Sequence, residues 1–126
     1  MDAKLLNPSV LAFVGDSVYS LLVREKFAEI NRKSGDLHSL SVKLVNASAQ
    51  AKAYTIIEQK LTDEEIAIFK RGRNFHTASS PKNSTKGEYH LATGLETLFG
   101  YLHLSGNESR ARELFNIIWE NSSSDI

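Results

Sequence analysis

The sequence predicts an all-α protein of the helical-bundle class. Three observations carry this. Apolar residues recur at three- and four-residue intervals over several stretches, no stretch of useful length alternates in the manner of a strand, and helix-start signals stand at the heads of the apolar stretches. The 126 residues fit one compact domain, and 41% hydrophobic content is enough for its core, so a single domain over 1–126 with five or more helices is expected.

Asn7-Pro8 reads as an N-cap followed by proline at the first helical position. Val10, Leu11, Phe13, Val14, Val18, Leu21 and Leu22 then surround most of the first helix, which predicts a helix buried all round. After the polar break Asn31 to Gly35, Asp36 can cap one long second helix carrying Leu37, Leu40, Leu44, Val45, Ala47, Ala51, Tyr54 and Ile57. Thr62-Asp63-Glu64-Glu65 matches a capping box and opens a short third helix with Ile66, Ile68 and Phe69, ending near Gly72.

From Arg73 to Lys86 there is little periodicity and much Ser, Thr, Asn, Pro and Lys, the composition of a long functional loop. A fourth helix is expected over about Glu88 to Leu104. A fifth begins at Asn107 and turns Ala111, Leu114, Phe115, Ile118 and Trp119 inward, and the tail from Asn121 is expected to fray. There is no internal repeat.

Composition removes several classes of chemistry. Without cysteine there is no disulfide framework, no thiolate zinc site and no thiol nucleophile. Gly15, Asp16 and Ser17 interrupt the apolar run from Val10 to Val23, so neither a membrane span nor a good signal-peptide core is present, and a soluble, cytoplasmic protein is expected. Fifteen basic and fifteen acidic residues cancel, so net charge is neutral on the question of nucleic acid. Their distribution is uneven. Between Ile66 and Gly87 there is no Asp or Glu, whereas Lys70, Arg71, Arg73, Lys82 and Lys86 all lie there.

Two carboxylates stand where carboxylates are costly. Asp16 falls mid-helix among apolar residues, with the small or polar Ser9, Ala12, Tyr19 and Ser20 on its own face. Glu96 is embedded among Leu91, Leu95, Leu98, Phe99 and Leu102, with Ala92, Thr93 and Gly100 on its face. If the two helices cross at these small-residue faces, Asp16 and Glu96 meet and offer hard oxygen ligands, which suits magnesium keeping several of its waters. Each acid could instead bond a buried Arg, Lys, Tyr or amide, as in a helical interaction domain. No HExxH, paired Glu-x-x-His, Gly-x-Ser-x-Gly or phosphate-loop pattern competes, and His38, His76, His90 and His103 are scattered in the manner of surface or packing residues.

The run Leu11-Ala12-Phe13-Val14-Gly15-Asp16-Ser17-Val18-Tyr19 resembles the signature helix of ribonuclease III catalytic domains. Ala92-Thr93-Gly94-Leu95-Glu96-Thr97-Leu98-Phe99-Gly100-Tyr101-Leu102 resembles their second acidic helix. With Arg71-Gly72-Arg73-Asn74 between them and no room for an appended double-stranded-RNA-binding domain, the pattern looks like Mini-ribonuclease III over essentially the whole chain.

That resemblance implies an all-helical homodimer, bacterial and cytoplasmic, that hydrolyses double-stranded RNA with magnesium and leaves 5′-phosphate and 3′-hydroxyl ends. The implied substrate is the paired ends of precursor 23S ribosomal RNA, and a ribosomal protein is a candidate further partner. Asp16 matches the family's catalytic aspartate and Glu96 its essential glutamate, both as metal ligands. Two further acids of the signature fall where this chain has Ser9 and Ala12, and another falls at Thr93. Fewer protein ligands follow, with one tightly held ion and a shell completed by water or RNA phosphate.

For RNA, Arg71 and Arg73 can fork onto phosphates, Asn74 lies beside them, and Lys82 and Lys86 add mobile charge. Contacts to phosphate and 2′-hydroxyl would recognise duplex shape more than sequence. A helical module that grips structured RNA or a ribosomal partner without cutting would carry the same basic stretch; absence of magnesium binding would favour it.

Overall fold

The structure is a computed structural model and describes residues 1–31, 34–75 and 85–122; among these there is no strand. Six helices follow in order: α1 Pro8–Ile30, α2 Ser34–Val45, α3 Ala47–Ile57, α4 Asp63–Arg73, α5 Lys86–Leu104 and α6 Glu108–Asn121. Short 3-10 turns at Ala3–Leu5 and Glu58–Lys60 precede α1 and α4.

Local chemistry sets the ends. The Asn7 side chain accepts from the Ser9 amide at 2.9 Å, with Pro8 behind it, and Asn31 closes α1 in the left-handed region at φ 56°. Thr62 and Glu65 form the expected capping box at α4. A second box, Thr85 with Glu88, starts α5 two residues earlier than the sequence periodicity indicated. Asn107 caps α6 by accepting from the Arg110 amide, and α6 stays helical through Asn121. The tail beyond Ser122 lies outside the described residues.

One long helix was expected between Asp36 and Ile57, and two are found. Asn46 divides them. Its carboxamide oxygen accepts from the Ala49 amide at 2.8 Å and opens α3, while its nitrogen donates to the Val42 and Lys43 carbonyls at 3.2 and 3.3 Å and closes α2. A single side chain thus satisfies orphan groups of both ends, which lowers the cost of a sharp break.

α5 is the central helix, and α1, α3 and α4 pack around it, with α6 joining from the side. Leu95, Leu98, Phe99 and Leu102 are buried along it. The Tyr19 ring meets Phe99 and Phe115 edge-on at 5.3 and 5.4 Å, and Tyr54 stacks on Phe69 at 3.8 Å. A part-buried ion pair clamps α4 to α6: Arg110 Nε lies 2.8 Å from Glu65 Oε2. Burial opposes ionisation of Glu65, but the Arg110 bond and the Thr62 amide outweigh it and hold the carboxyl below the usual range.

The all-round burial expected of α1 is not found. Leu11, Tyr19, Leu22, Val23 and Phe27 are buried, but Val10, Phe13 and Leu21 stay exposed, Phe13 at 79%. α5, α2 and α4 cover part of the helix, while Val10, Phe13 and Leu21 on its other face stay open to solvent among the described residues.

Candidate active site

The site begins with two glycines. A Cβ on Gly15 would lie 1.6 Å from the Glu96 carbonyl oxygen, and one on Gly100 would lie 1.9 Å from the Leu11 carbonyl oxygen. Any side chain at either position would hold α1 and α5 apart. With glycine at both, the two backbones touch, and Asp16, next to Gly15, is brought against Glu96, one turn before Gly100 on α5.

The two carboxyl groups lie close enough that Asp16 acts directly on the ionisation of Glu96. Asp16 is exposed, not enclosed by apolar neighbours as the sequence suggested, and Glu96 is half-buried. Asp16 therefore forms the solvent-facing rim and Glu96 the floor. Burial first, then the bond and charge of Asp16, push the Glu96 carboxyl up to about 8, against a downward pull from Gln50. Two carboxylates in contact cannot both ionise cheaply without a cation between or beside them. The donor set therefore fits a hard divalent ion that retains water. Among the described residues no group of three or more His, Asp or Glu is placed to hold a metal, which limits this site to its two acids.

The positions where further acids would stand are ordinary here. The Ser9 hydroxyl bonds Asn7 Oδ1 at 2.8 Å, and Thr93 Oγ1 donates to the Tyr89 carbonyl at 3.0 Å. A residue that sequence reasoning missed completes the floor: Gln50 of α3 donates from Nε2 to Glu96 Oε2 at 3.4 Å. Its only signal was a polar residue between Ala49 and Ala51. Tyr19, buried close by, has its phenol pushed up by burial and by the Glu96 charge.

Arg71 and Arg73 stand in the last turn of α4, and Asn74 is its C-cap. Arg71 donates from Nη1 to the Lys4 carbonyl at 2.9 Å and from Nη2 to the Leu6 carbonyl at 2.6 Å, so it straps the N-terminal segment to α4. Arg73 Nε donates to Asn74 Oδ1 at 3.1 Å, and its guanidinium lies 5.9 Å from the Phe69 ring centroid. Arg73 and Asn74 line a shallow hollow with Gly87, His90 and Leu91. Lys86 is exposed in the first turn of α5, while Lys82 and His76 lie outside the described residues.

The chain has counterparts among known proteins. The ribonuclease III domain family matches residues 9–107. The chain belongs to the ribonuclease III family. Within it, the chain is 38% identical over 119 residues to Mini-ribonuclease 3 of Clostridium tetani, covering 93% of this chain and 79% of that protein. It is 43% identical over 114 residues to Mini-ribonuclease 3 of Brevibacillus brevis, covering 90% and 85%. A crystal structure of a Fusobacterium nucleatum protein superimposes with a TM-score of 0.86 at 29% identity, over 96% of this chain and 98% of that one. The Mini-ribonuclease III resemblance carried by the two acidic helices is thereby borne out, and the chain is an endoribonuclease of this family. Among the described residues no helix is long and apolar enough to cross a membrane.

Proposed function

We propose that this ribonuclease cuts double-stranded RNA with magnesium held by Asp16 and Glu96, acting as a cytoplasmic homodimer on the paired ends of precursor 23S ribosomal RNA. The observation that carries the metal chemistry is the close approach of α1 and α5 at Gly15 and Gly100, which sets the Asp16 and Glu96 carboxyls beside each other. When bound, magnesium supplies an activated water and offsets the charge that develops on phosphorus. Asp16, on the exposed rim, draws the cation and faces the RNA backbone. Glu96 is fixed by the buried body of α5 and gives up its proton as the cation arrives. Attack of water on phosphorus breaks the bond to the 3′ oxygen, leaving a 5′-phosphate and a 3′-hydroxyl.

Arg73, Asn74, Lys82 and Lys86 are proposed to hold duplex phosphates, with the remaining donors of Arg71 added to them. The exposed α1 residues Val10, Phe13 and Leu21 support a twofold pairing, which would set two sites across one duplex. A ribosomal protein is the candidate accessory that presents the RNA.

Cleavage of a labelled duplex tests this. Wild-type protein is expected to cut with magnesium and not with a chelator, and Asp16→Asn to keep the fold and lose cutting. Normal turnover by Asp16→Asn would remove the acid from the mechanism. Intact RNA in every lane, with precursor ribosomal RNA as well as a plain duplex, would overturn the nuclease assignment for this chain.

A further inference from the structure

Gln50 is more deeply buried than either acid it accompanies, at 2% exposure. The Asn46 cap sets the register of α3 so that Gln50, Ala53, Tyr54 and Ile57 share its buried face. A buried carboxamide must find polar partners, and the partner of this one is a metal-site carboxylate, Glu96 Oε2. Two residues earlier, Ser48 Oγ donates to Glu88 Oε2 at 2.9 Å, so α3 is tied to α5 at a second point and the amide has a firm base.

We propose that Gln50 is a positioning residue for the metal site. This rests on the magnesium-nuclease assignment above. Its amide N–H holds the Glu96 carboxylate turned toward Asp16, so that both acids present oxygens to one cation. The residue type suits the task. A lysine here would cancel ligand charge and a glutamate would add to it, whereas a neutral donor orients the carboxylate and leaves the site at two negative charges, matched to one divalent ion. Ser9, Ala12 and Thr93 supply no further carboxylate to hold the cation, so the orientation of Glu96 carries more of the affinity than it would in a larger acidic cluster. The 3.4 Å separation is long for such a bond, and bonds of this kind shorten when the acceptor carries full charge.

The test is manganese binding to the RNA-free protein, read from the electron paramagnetic resonance of free Mn2+, alongside thermal melts in chelator and magnesium titrations of cleavage. Gln50→Met keeps the volume and removes the donor; Gln50→Ala removes both. Outer-shell changes of this kind weaken metal binding by about 10–100-fold. Gln50→Met is expected to show that loss with a melt close to wild type, to need correspondingly more magnesium for half-maximal cutting, and to recover its rate when magnesium saturates. Wild-type affinity in Gln50→Met would overturn the proposal, as would a lowered melt with unchanged affinity per folded molecule, because Gln50 would then serve packing alone. If wild type itself binds no manganese in a manner sensitive to Asp16→Asn, the metal-nuclease assignment falls, and with it the premise for Gln50.

Discussion

At Glu96 one carboxyl links stability to catalysis. Burial and Asp16 raise it from its ordinary 4.5 to about 8, so between those values the folded chain holds a proton that the unfolded chain has lost. Its contribution to stability is therefore complete below about pH 4.5 and disappears as pH rises through about 8. Glu96→Gln replaces the protonated acid by a neutral amide at every pH. In chelator it is expected to melt higher than wild type at pH 9, with the gap closing toward pH 4.5, while cutting no RNA. Melts across pH check this; a gap independent of pH would contradict the placement of Glu96 against Asp16. Arg71 also serves the fold, since two of its donors hold backbone carbonyls of the N-terminal segment. Arg71→Ala should cost about 1–2 kcal/mol in denaturant melts. The phosphate proposal is better probed by Arg73→Ala with Lys86→Ala, expected to weaken duplex binding and flatten its salt dependence without that loss. The acids could be read from sequence because a carboxylate in an apolar helix is conspicuous. Gln50 could not, because Ser48, Lys52 and Thr55 are equally polar neighbours and only the packing of α3 on α5 distinguishes them.

For the helices as elements, the crossing of α1 and α5 decides whether there is a site at all. Spacing located these helices and a small or polar face on each, and left their meeting as a condition; the part Gly15 plays in the crossing was not read from sequence. Gly15→Ala asks two touching backbones to separate around a methyl group placed 1.6 Å from the Glu96 carbonyl oxygen. Overpacking costs of about 1–3 kcal/mol are typical where side chains can adjust, and here the obstacle is backbone. The variant is expected to lose at least that much stability and to lose cleavage even when folded, because the acids part. Chemical denaturation paired with single-turnover cutting separates it from Asp16→Asn, which should lose cutting alone; a stable, active Gly15→Ala would refute the close approach. The break between α2 and α3 escaped sequence reading for a physical reason. Apolar spacing runs on through Leu44, Val45, Ala47 and Ala51 as if no break were there, and one asparagine bonding in both directions settles the matter in three dimensions.

In the whole molecule, the apolar residues that made α1 look buried on every side have two destinations. One set enters the core of this chain. The other, Val10, Phe13 and Leu21, forms a stripe down the opposite face, with Asp16 one turn along from Phe13 at its margin. Full burial of such a side chain is worth about 1.5–3 kcal/mol, the part still exposed here proportionately less, and a twofold axis through the stripe would cover the same set on both copies. The sequence could report that α1 is apolar all round, but not whether its second face meets the same chain or another copy, because both give the same pattern. Leu21→Asp distinguishes them. The residue is 54% exposed within the chain, so a carboxylate there leaves the monomer's core intact, whereas across a twofold interface it would set two charges in an apolar contact. Sedimentation should find wild type at twice the chain mass and Leu21→Asp at once, with an unchanged melt at low concentration. Duplex binding should weaken with dissociation, since each chain alone offers half of the basic surface and one of two cutting sites. A Leu21→Asp protein that stays dimeric would move the interface off this face of α1, and a wild type that sediments as a single chain would leave each site to engage one strand unaided.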